Sequence, residues 1–196
     1  YGTATHVPMA ETHSPRPETV YGASKLAGEA YARAFHRTFG MNTMVIRPFN
    51  TYGPRSHYEG DAGEVIPKSI IRVLNKQPIL VFGGGSQTRD FTYVEDIAQG
   101  LILAAGCDHA IGQTLNIGSG TEISIKDLAE KICKITDKSD IEFQEKRPGD
   151  VGRLLADNSN FKNLCSWEAE VNFDQGIQKT VKYFENHLHG IKNLIN

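Results

Sequence analysis

The residues most suited to chemistry are Tyr21 and Lys25, a phenol and an ammonium four positions apart. On a helix, two such side chains lie on one face about one turn from each other. An ammonium beside a phenol favours the phenolate, which is a base that can take a proton from an alcohol. Loss of that proton while the carbon loses hydride is an oxidation of the kind that nicotinamide enzymes perform. The same spacing also arises by chance on exposed helices, so a purely structural interpretation stays open.

A second group of polar residues follows a short apolar run. Residues 43–46 are apolar and mostly branched and predict a buried strand that ends at Pro48. The string Arg47–Arg55 comes directly after this strand, and α/β folds place ligand loops at the carboxyl ends of strands. Asn, Gly and Pro are also common turn formers, so an ordinary turn is the alternative.

Two arginines far apart in the sequence could share one anionic ligand. A planar guanidinium donates paired hydrogen bonds, which suits a diphosphate, and Arg89 and Arg147 both lie in polar segments. For Arg89 the alternative is an ion pair with Glu95 or Asp96, and for Arg147 it is a solvated loop charge. The seven histidines and three cysteines show no paired metal spacing and no CxxC, so no metal site is predicted and the cysteines are interpreted as reduced thiols.

Helices alternate with short apolar strands along the chain, which favours an α/β fold with parallel pairing. Helices are predicted at 22–39, 65–74, 94–105, 124–136, 159–164 and 174–187, and strands at 43–46, 79–82, 113–117 and 141–143. Ser124 and Asp127 have the spacing of a helix N-terminal capping box. Apolar residues make up 39% of the 196 positions, enough for a core.

Charge and hydropathy exclude several classes of partner. The formal net charge is -2, which gives no electrostatic case for nucleic acid or an anionic membrane. No apolar run approaches the ~18 residues of a membrane span. Together with the reduced thiols, this leads us to expect a cytoplasmic protein.

The motifs together resemble one known family. Tyr21–Lys25 resembles the YxxxK signature of the short-chain dehydrogenases/reductases, and the surrounding YGASKLAGE string resembles their extended branch, the nucleotide-sugar epimerases and dehydratases. The strings at 47–55, 80–96 and 147–150 follow in the family's order, and the resemblance covers residues 1 to about 188. It implies an α/β fold made of the C-terminal part of a Rossmann-type parallel sheet and a smaller mixed α/β substrate lobe. Residues 1–196 would then be a single incomplete domain, in which 1–50 and 90–118 belong to the NAD-binding lobe and 51–89 and 119–196 to the nucleotide-sugar lobe.

For the reacting groups, the resemblance implies that Tyr21 is the general base or acid. Lys25 would bind the nicotinamide ribose and tune the tyrosine, and Pro48 would lie beside the nicotinamide. Asn50 would hydrogen-bond the phosphate region of the sugar nucleotide.

For the nucleotide, the resemblance implies contacts from residues spread over the rest of the chain. Leu80 and Phe82 would flank the base, and Val65 would touch the base or the sugar. Arg89 and Arg147 would bind the diphosphate, with Asp150 in the same RxGD-like loop as Arg147.

The activity implied is that of an NAD-dependent 4-epimerase acting on a UDP- or dTDP-hexose. A 4,6-dehydratase or a UDP-glucuronate decarboxylase would use the same residues, and a non-catalytic remnant that binds a nucleotide sugar is a further alternative. The full-length parent is expected to form a homodimer.

The sequence departs from the family at its start. The glycine-rich turn that seats the NAD pyrophosphate is missing, and Gly118-Ser119-Gly120 lacks the spacing to replace it. The family's catalytic Ser or Thr, and the Asp-Glu pair of the dehydratases, would precede Tyr1. We therefore interpret the chain as a C-terminal fragment that binds NAD weakly, is inactive in isolation and exposes apolar faces.

Overall fold

The computed structural model describes residues 1–60, 63–137, 140–147 and 151–191, with the backbone alone for 188–191. Its helices are α1 (Val20–Phe39), α2 (Val65–Leu74), α3 (Val94–Ala105), α4 (Ile125–Thr136), α5 (Ser159–Cys165) and α6 (Phe173–Ile191). Its strands are β1 (Val45–Pro48), β2 (Asn50–Tyr52), β3 (Ile79–Phe82), β4 (Thr88–Tyr93), β5 (Thr114–Ile117), β6 (Glu122–Ser124), β7 (Ile141–Gln144) and β8 (Arg153–Leu154). The predicted helices are all present, whereas β2, β4, β6 and β8 were not predicted because their sequences are polar or very short.

The ends of the helices follow from local hydrogen bonding. The hydroxyl of Thr19 accepts a hydrogen bond from the Gly22 amide at 3.0 Å and begins α1. Gly40, at φ 65°, ends the same helix in the left-handed conformation that glycine adopts without steric cost. The Ser124 hydroxyl accepts from the Asp127 amide at 3.0 Å, which confirms the predicted start of α4.

The chain forms two compact units. The first comprises residues 1–51, 88–122 and 151–170, and the second comprises 52–87, 123–150 and 171–196. These units differ from the predicted lobes chiefly in residues 151–170, which the prediction placed in the nucleotide-sugar lobe. Which unit binds which ligand stays a prediction.

The first unit is built on the parallel pair β1 and β5, in which Arg47 lies opposite Asn116 and Pro48 opposite Ile117. The core beneath this pair is apolar and includes the buried side chains of Ile97, Leu115, Ile117, Phe161 and Trp167. The Trp167 ring packs edge-on against Phe161, and its Nε1 donates to the backbone oxygen of Asp96 at 3.0 Å. Trp167 is therefore a packing residue whose polar atom is satisfied.

A further sheet has the strand order β2-β4-β6, and β8 also pairs with β4. The β4–β8 pairing is parallel and lies within the first unit, with Arg89 opposite Leu154. The chain passes from one unit to the other within β2 and within β6. Arg89 is thus the second residue of a paired strand.

The second unit is built on the parallel pair β3 and β7, with Leu80 opposite Glu142 and Phe82 opposite Gln144. Helix α2 contacts both α4 and α6, and it buries Ile66, Ile70 and Ile71. These residues recur at helical spacing, so one apolar face of α2 forms much of this unit's core.

Within the described residues, none of the helices is both long enough and apolar enough to cross a membrane.

Candidate active site

Tyr21 and Lys25 lie in the first two turns of α1, on the same face, as their spacing predicts. The Lys25 ammonium is 5.2 Å from the centre of the Tyr21 ring, and Tyr21 is 72% exposed. A cation at this distance from a phenol ring is attracted to it and keeps the two groups together. The two groups therefore lie together at the surface of α1, and their catalytic role stays a prediction.

The exposure of Pro48 and Asn50 results from the alternation of side chains along an extended segment. The ring of Phe49 between them is buried with Met9 and Ala156, and the Phe49 amide donates to the Ile117 oxygen at 2.9 Å. Because successive side chains of a strand point to opposite sides, burial of Phe49 leaves Pro48 and Asn50 exposed. Both predicted ligand contacts are thus at the surface, at the carboxyl end of β1.

Arg47, one residue earlier, points inward into a polar network that sequence reasoning missed. Its Nε and Nη2 donate to the two carboxylate oxygens of Glu29 at 2.8 and 2.5 Å, and its Nη1 donates to the Tyr1 hydroxyl at 2.6 Å. The side chains of Arg47 and Glu29 are only 14% and 8% exposed. Glu29 comes four residues after Lys25, so the ion pair joins the helix of the candidate base to the strand that ends at Pro48.

The titration behaviour of this network follows from its burial and its partners. Burial acts to raise the pKa of Glu29, but hydrogen bonds and charge from Arg47, with help from Arg33, lower it below the usual value. Burial raises the pKa of the Tyr1 phenol despite the opposing effect of Arg47. The network therefore holds a carboxylate, a guanidinium and a neutral phenol.

Arg89 lies in β4 of the first unit, with its Nη1 donating to the backbone oxygens of Thr88 at 2.8 Å and Val151 at 2.7 Å. Its neighbour Asp90 is fully buried and accepts from the amides of Ser119, Gly120 and Ala156 at 2.8, 3.0 and 3.1 Å. These bonds fix the backbone that carries Arg89. The contact of Arg89 with a diphosphate stays a prediction.

The candidate nucleotide contacts of the second unit lie on one side of β3. Leu80 and Phe82 are half-buried and alternate with the fully buried Ile79 and Val81. The guanidinium of Arg147 lies 3.7 Å from the centre of the Phe82 ring. The structure thus joins two of the predicted contacts into one cation–aromatic pair, a link that sequence separation concealed.

The structure gives less information on two of the predicted substrate contacts, Val65 and Asp150. Val65 is the first residue of α2 and is half-buried. Asp150 lies outside the described residues. Among the residues that are described, no group of three or more His, Cys, Asp or Glu side chains could hold a metal ion.

Comparison with known proteins identifies relatives over most of the chain. A putative UDP-glucose 4-epimerase of Methanocaldococcus jannaschii is 34% identical over 188 residues, which are 95% of this chain and 60% of that protein. A probable dTDP-glucose 4,6-dehydratase of Sinorhizobium fredii is 34% identical over 180 residues, 87% of this chain and 50% of that protein. The chain therefore spans about half to three-fifths of the length of these relatives.

Solved structures match the fold closely. An epimerase of Methanothermobacter thermautotrophicus superposes with a TM-score of 0.94 at 33% identity, over 98% of this chain and 58% of that one. The UDP-glucuronic acid 4-epimerase of Bacillus cereus, solved with UDP-glucuronic acid and NAD, superposes with a TM-score of 0.88 at 30% identity, over 95% and 59% of the two chains. These matches confirm the predicted fold class, a Rossmann-type α/β architecture.

The fold and the named relatives are those of nucleotide-sugar epimerases and dehydratases, which confirms the resemblance seen in the sequence. Within that class, a family model described as GDP-mannose 4,6 dehydratase matches residues 1–180, so the chain belongs to this family.

Proposed function

We propose that this chain is the substrate-binding and base-carrying part of an NAD-dependent nucleotide-sugar 4-epimerase that acts on a UDP- or dTDP-hexose. The observation that carries the proposal is the exposed pair on α1, in which the Lys25 ammonium lies 5.2 Å from the Tyr21 ring. The epimerase names of the M. jannaschii and B. cereus proteins support it.

In the proposed reaction, Tyr21 takes the proton from the 4-hydroxyl of the sugar and later returns it. Lys25 stabilises the phenolate during that exchange, since its ammonium lies 5.2 Å from the centre of the ring. NAD, when bound, supplies a hydride acceptor for the carbon that bears this hydroxyl. Pro48, which is exposed at the end of β1, is the proposed contact for the nicotinamide ring.

Each unit carries its own candidates for contact with a nucleotide sugar. Asn50 and Arg89 are the first unit's candidates for the diphosphate, and Arg147 is the second unit's. Leu80 and Phe82 offer an apolar strip that a base can cover, because their side chains are half-buried on one side of β3.

A 4,6-dehydratase or a UDP-glucuronate decarboxylase is the alternative reaction. Both begin with the same oxidation at C4, so the same residues would serve them. The 34% identity to the S. fredii protein, a probable dehydratase, is the specific observation in favour of dehydration. A non-catalytic protein that binds a nucleotide sugar is the alternative outside enzymes.

The test uses the chain itself and the chain extended at its amino end to the length of its relatives. Each protein is incubated with NAD and with UDP-glucose, dTDP-glucose or UDP-glucuronate, and the products are examined by chromatography and mass spectrometry. Altered retention at unchanged mass is expected for an epimerase, whereas loss of water or of carbon dioxide would favour the other two reactions.

The matched pair of variants is Tyr21→Phe and Tyr31→Phe, because both tyrosines lie on α1 and are 72% and 69% exposed. Tyr21→Phe should abolish turnover, and Tyr31→Phe should retain it. Binding of UDP-sugars by the extended protein with no turnover would contradict the enzymatic proposal and favour the non-catalytic alternative.

A further inference from the structure

We propose that Glu29 and Arg47 are positioning residues, which fix the N-terminal half of α1, with Tyr21 and Lys25, against the carboxyl end of β1. This inference rests on the proposed function, because the ion pair links the helix of the candidate base, Tyr21, to the strand that ends at the candidate nicotinamide contact, Pro48. Glu29 lies one helical turn after Lys25, and Arg47 is the residue before Pro48. The ion pair is therefore close in sequence to both candidate functional groups.

The geometry of the ion pair is suited to this task. The two carboxylate oxygens of Glu29 accept from Nε and Nη2 of Arg47 at 2.8 and 2.5 Å, which is a bidentate contact. A bidentate pair fixes direction as well as distance, because a planar fork meets a planar carboxylate. Arg33, one turn further along α1, donates to the same carboxylate and holds its rotamer.

Helix α1 needs such a link because it has little apolar anchorage. It lies wholly within the described residues, and none of its residues is buried. The hydrogen bond from the Thr43 hydroxyl to the Ala32 oxygen, at 2.8 Å, and the contact of His36 Nδ1 with the Met41 oxygen hold its C-terminal half. The Glu29 side chain, which is only 8% exposed although the residue as a whole is half-buried, anchors the helix on the side of Tyr21.

The strand side of the link is also held firmly. Arg47 Nη1 donates to the Tyr1 hydroxyl at 2.6 Å and to the Glu11 backbone oxygen at 3.2 Å. The Tyr1 hydroxyl in turn donates to Asn116 Oδ1 at 2.7 Å, and Asn116 lies opposite Arg47 in the β1–β5 register. The guanidinium is thus fixed relative to both strands before it meets α1, so its direction is passed to the helix.

The first readout is independent of catalysis. Hydrogen exchange is measured in the chain, in Glu29→Gln and in Arg47→Lys, which keeps the charge but loses the fork. We expect amides of the first half of α1 to exchange about tenfold faster or more in both variants, while β1 and β5 keep their protection. Glu168→Gln is the control, because it breaks an ion pair of the same unit in which Lys162 and Glu168 are 52% and 72% exposed.

The second readout separates positioning from binding in the amino-terminally extended protein. Glu29→Gln should lower kcat about ten- to hundredfold, because a small displacement of a catalytic group is costly to the rate. The KM for the nucleotide sugar should stay nearly constant, since Glu29 is buried and its carboxylate is occupied by Arg47.

Unchanged exchange in α1, or loss of protection throughout β1 and β5, would overturn the positioning role. So would a variant that raises KM and leaves kcat untouched. Absence of turnover in the unmutated extended protein would overturn the proposed function instead, and the exchange data would still decide whether Glu29 and Arg47 fix the helix.

Discussion

Arg47 and Asn116 lie opposite each other on β1 and β5, and the Tyr1 hydroxyl joins their side chains, accepting from Arg47 at 2.6 Å and donating to Asn116 at 2.7 Å. The phenol thus sits at the point where two parallel strands and the first residues of the chain meet. Because Asn116 is fully buried and the Arg47 side chain is 14% exposed, we expect the hydroxyl to contribute to stability.

Tyr1→Phe should destabilise the chain by about 1–3 kcal/mol, since it leaves the buried oxygen of Asn116 without this donor. Urea unfolding followed by circular dichroism measures the change. Tyr31→Phe is the control, because Tyr31 is 69% exposed, and it should change stability by less than about 0.5 kcal/mol. Equal stabilities for the two variants would refute the role assigned to the Tyr1 hydroxyl.

Asp90→Asn should destabilise the chain by about 3 kcal/mol, because an amide has one acceptor oxygen where the carboxylate uses two. Oδ2 accepts from the amides of Gly120 and Ala156, and Oδ1 accepts from the amide and hydroxyl of Ser119 at 2.8 and 2.6 Å. In the asparagine variant an NH2 group replaces one of the two oxygens, so the donors that bind this oxygen in the unmutated chain face another donor. Thermal unfolding of this variant, against Asp108→Asn at an exposed position, is the measurement, and equal midpoints would be the contrary result.

Because of the Glu29–Arg47 pair, the free energy of unfolding should depend on pH in the acid range. The folded pKa of Glu29 is lowered from its usual 4.5, because the hydrogen bonds and charge of Arg47, with Arg33, outweigh burial. For a lowered pKa the folded state binds fewer protons, so the contribution is complete above about pH 4.5 and is lost as pH falls through the folded pKa. The Glu11 carboxylate, which accepts from the Asn116 amide at 2.8 Å, also lies close to this network, and comparison with Glu29→Gln separates the two contributions.

The stability difference between the unmutated chain and Glu29→Gln should therefore shrink as the pH falls below 4.5, the ordinary pKa of glutamate. Urea midpoints measured from pH 7 to pH 3 test this. A difference that stays constant over the whole range would show that the Glu29 carboxylate carries no linked proton.

The chain should bind NAD weakly in isolation, because its sequence lacks the glycine-rich turn that seats the pyrophosphate. Isothermal titration of NAD into the chain, and into the amino-terminally extended protein, should show tight binding for the extended protein only. A micromolar Kd for the chain itself would contradict this expectation.

Arg147→Gln should weaken the binding of UDP about tenfold, because it removes the charge-assisted hydrogen bonds proposed for the diphosphate. Lys146→Gln is the matched control, since it removes the same charge from the adjacent residue. Equal losses in the two variants would mean that Arg147 contributes only general positive charge, and titration of UDP distinguishes the two results.

The exposed apolar side chains of the first unit agree with the expectation that apolar faces are left open. Tyr31, Phe35 and Phe39 of α1 are 69%, 43% and 71% exposed, and Ile102 of α3 is 66% exposed. The apolar spacing correctly predicted that 22–39 is a helix. It could not show whether that apolar side is covered, because periodicity reports a preference for burial and not the presence of a neighbour.

By itself the sequence determined the helices, the four longest apolar strands and the Tyr21–Lys25 pair, because these depend on neighbours within a few positions. Only the tertiary structure decided that Arg47 faces Glu29, that Tyr1 reaches Asn116 and that Arg147 covers Phe82. Those contacts join residues 18, 115 and 65 positions apart, and side chains so distant in the chain meet only when strands pair and turns close. Local spacing therefore identified the candidate base, Tyr21. Long-range packing formed the Arg47–Glu29 ion pair, which is proposed to position its helix.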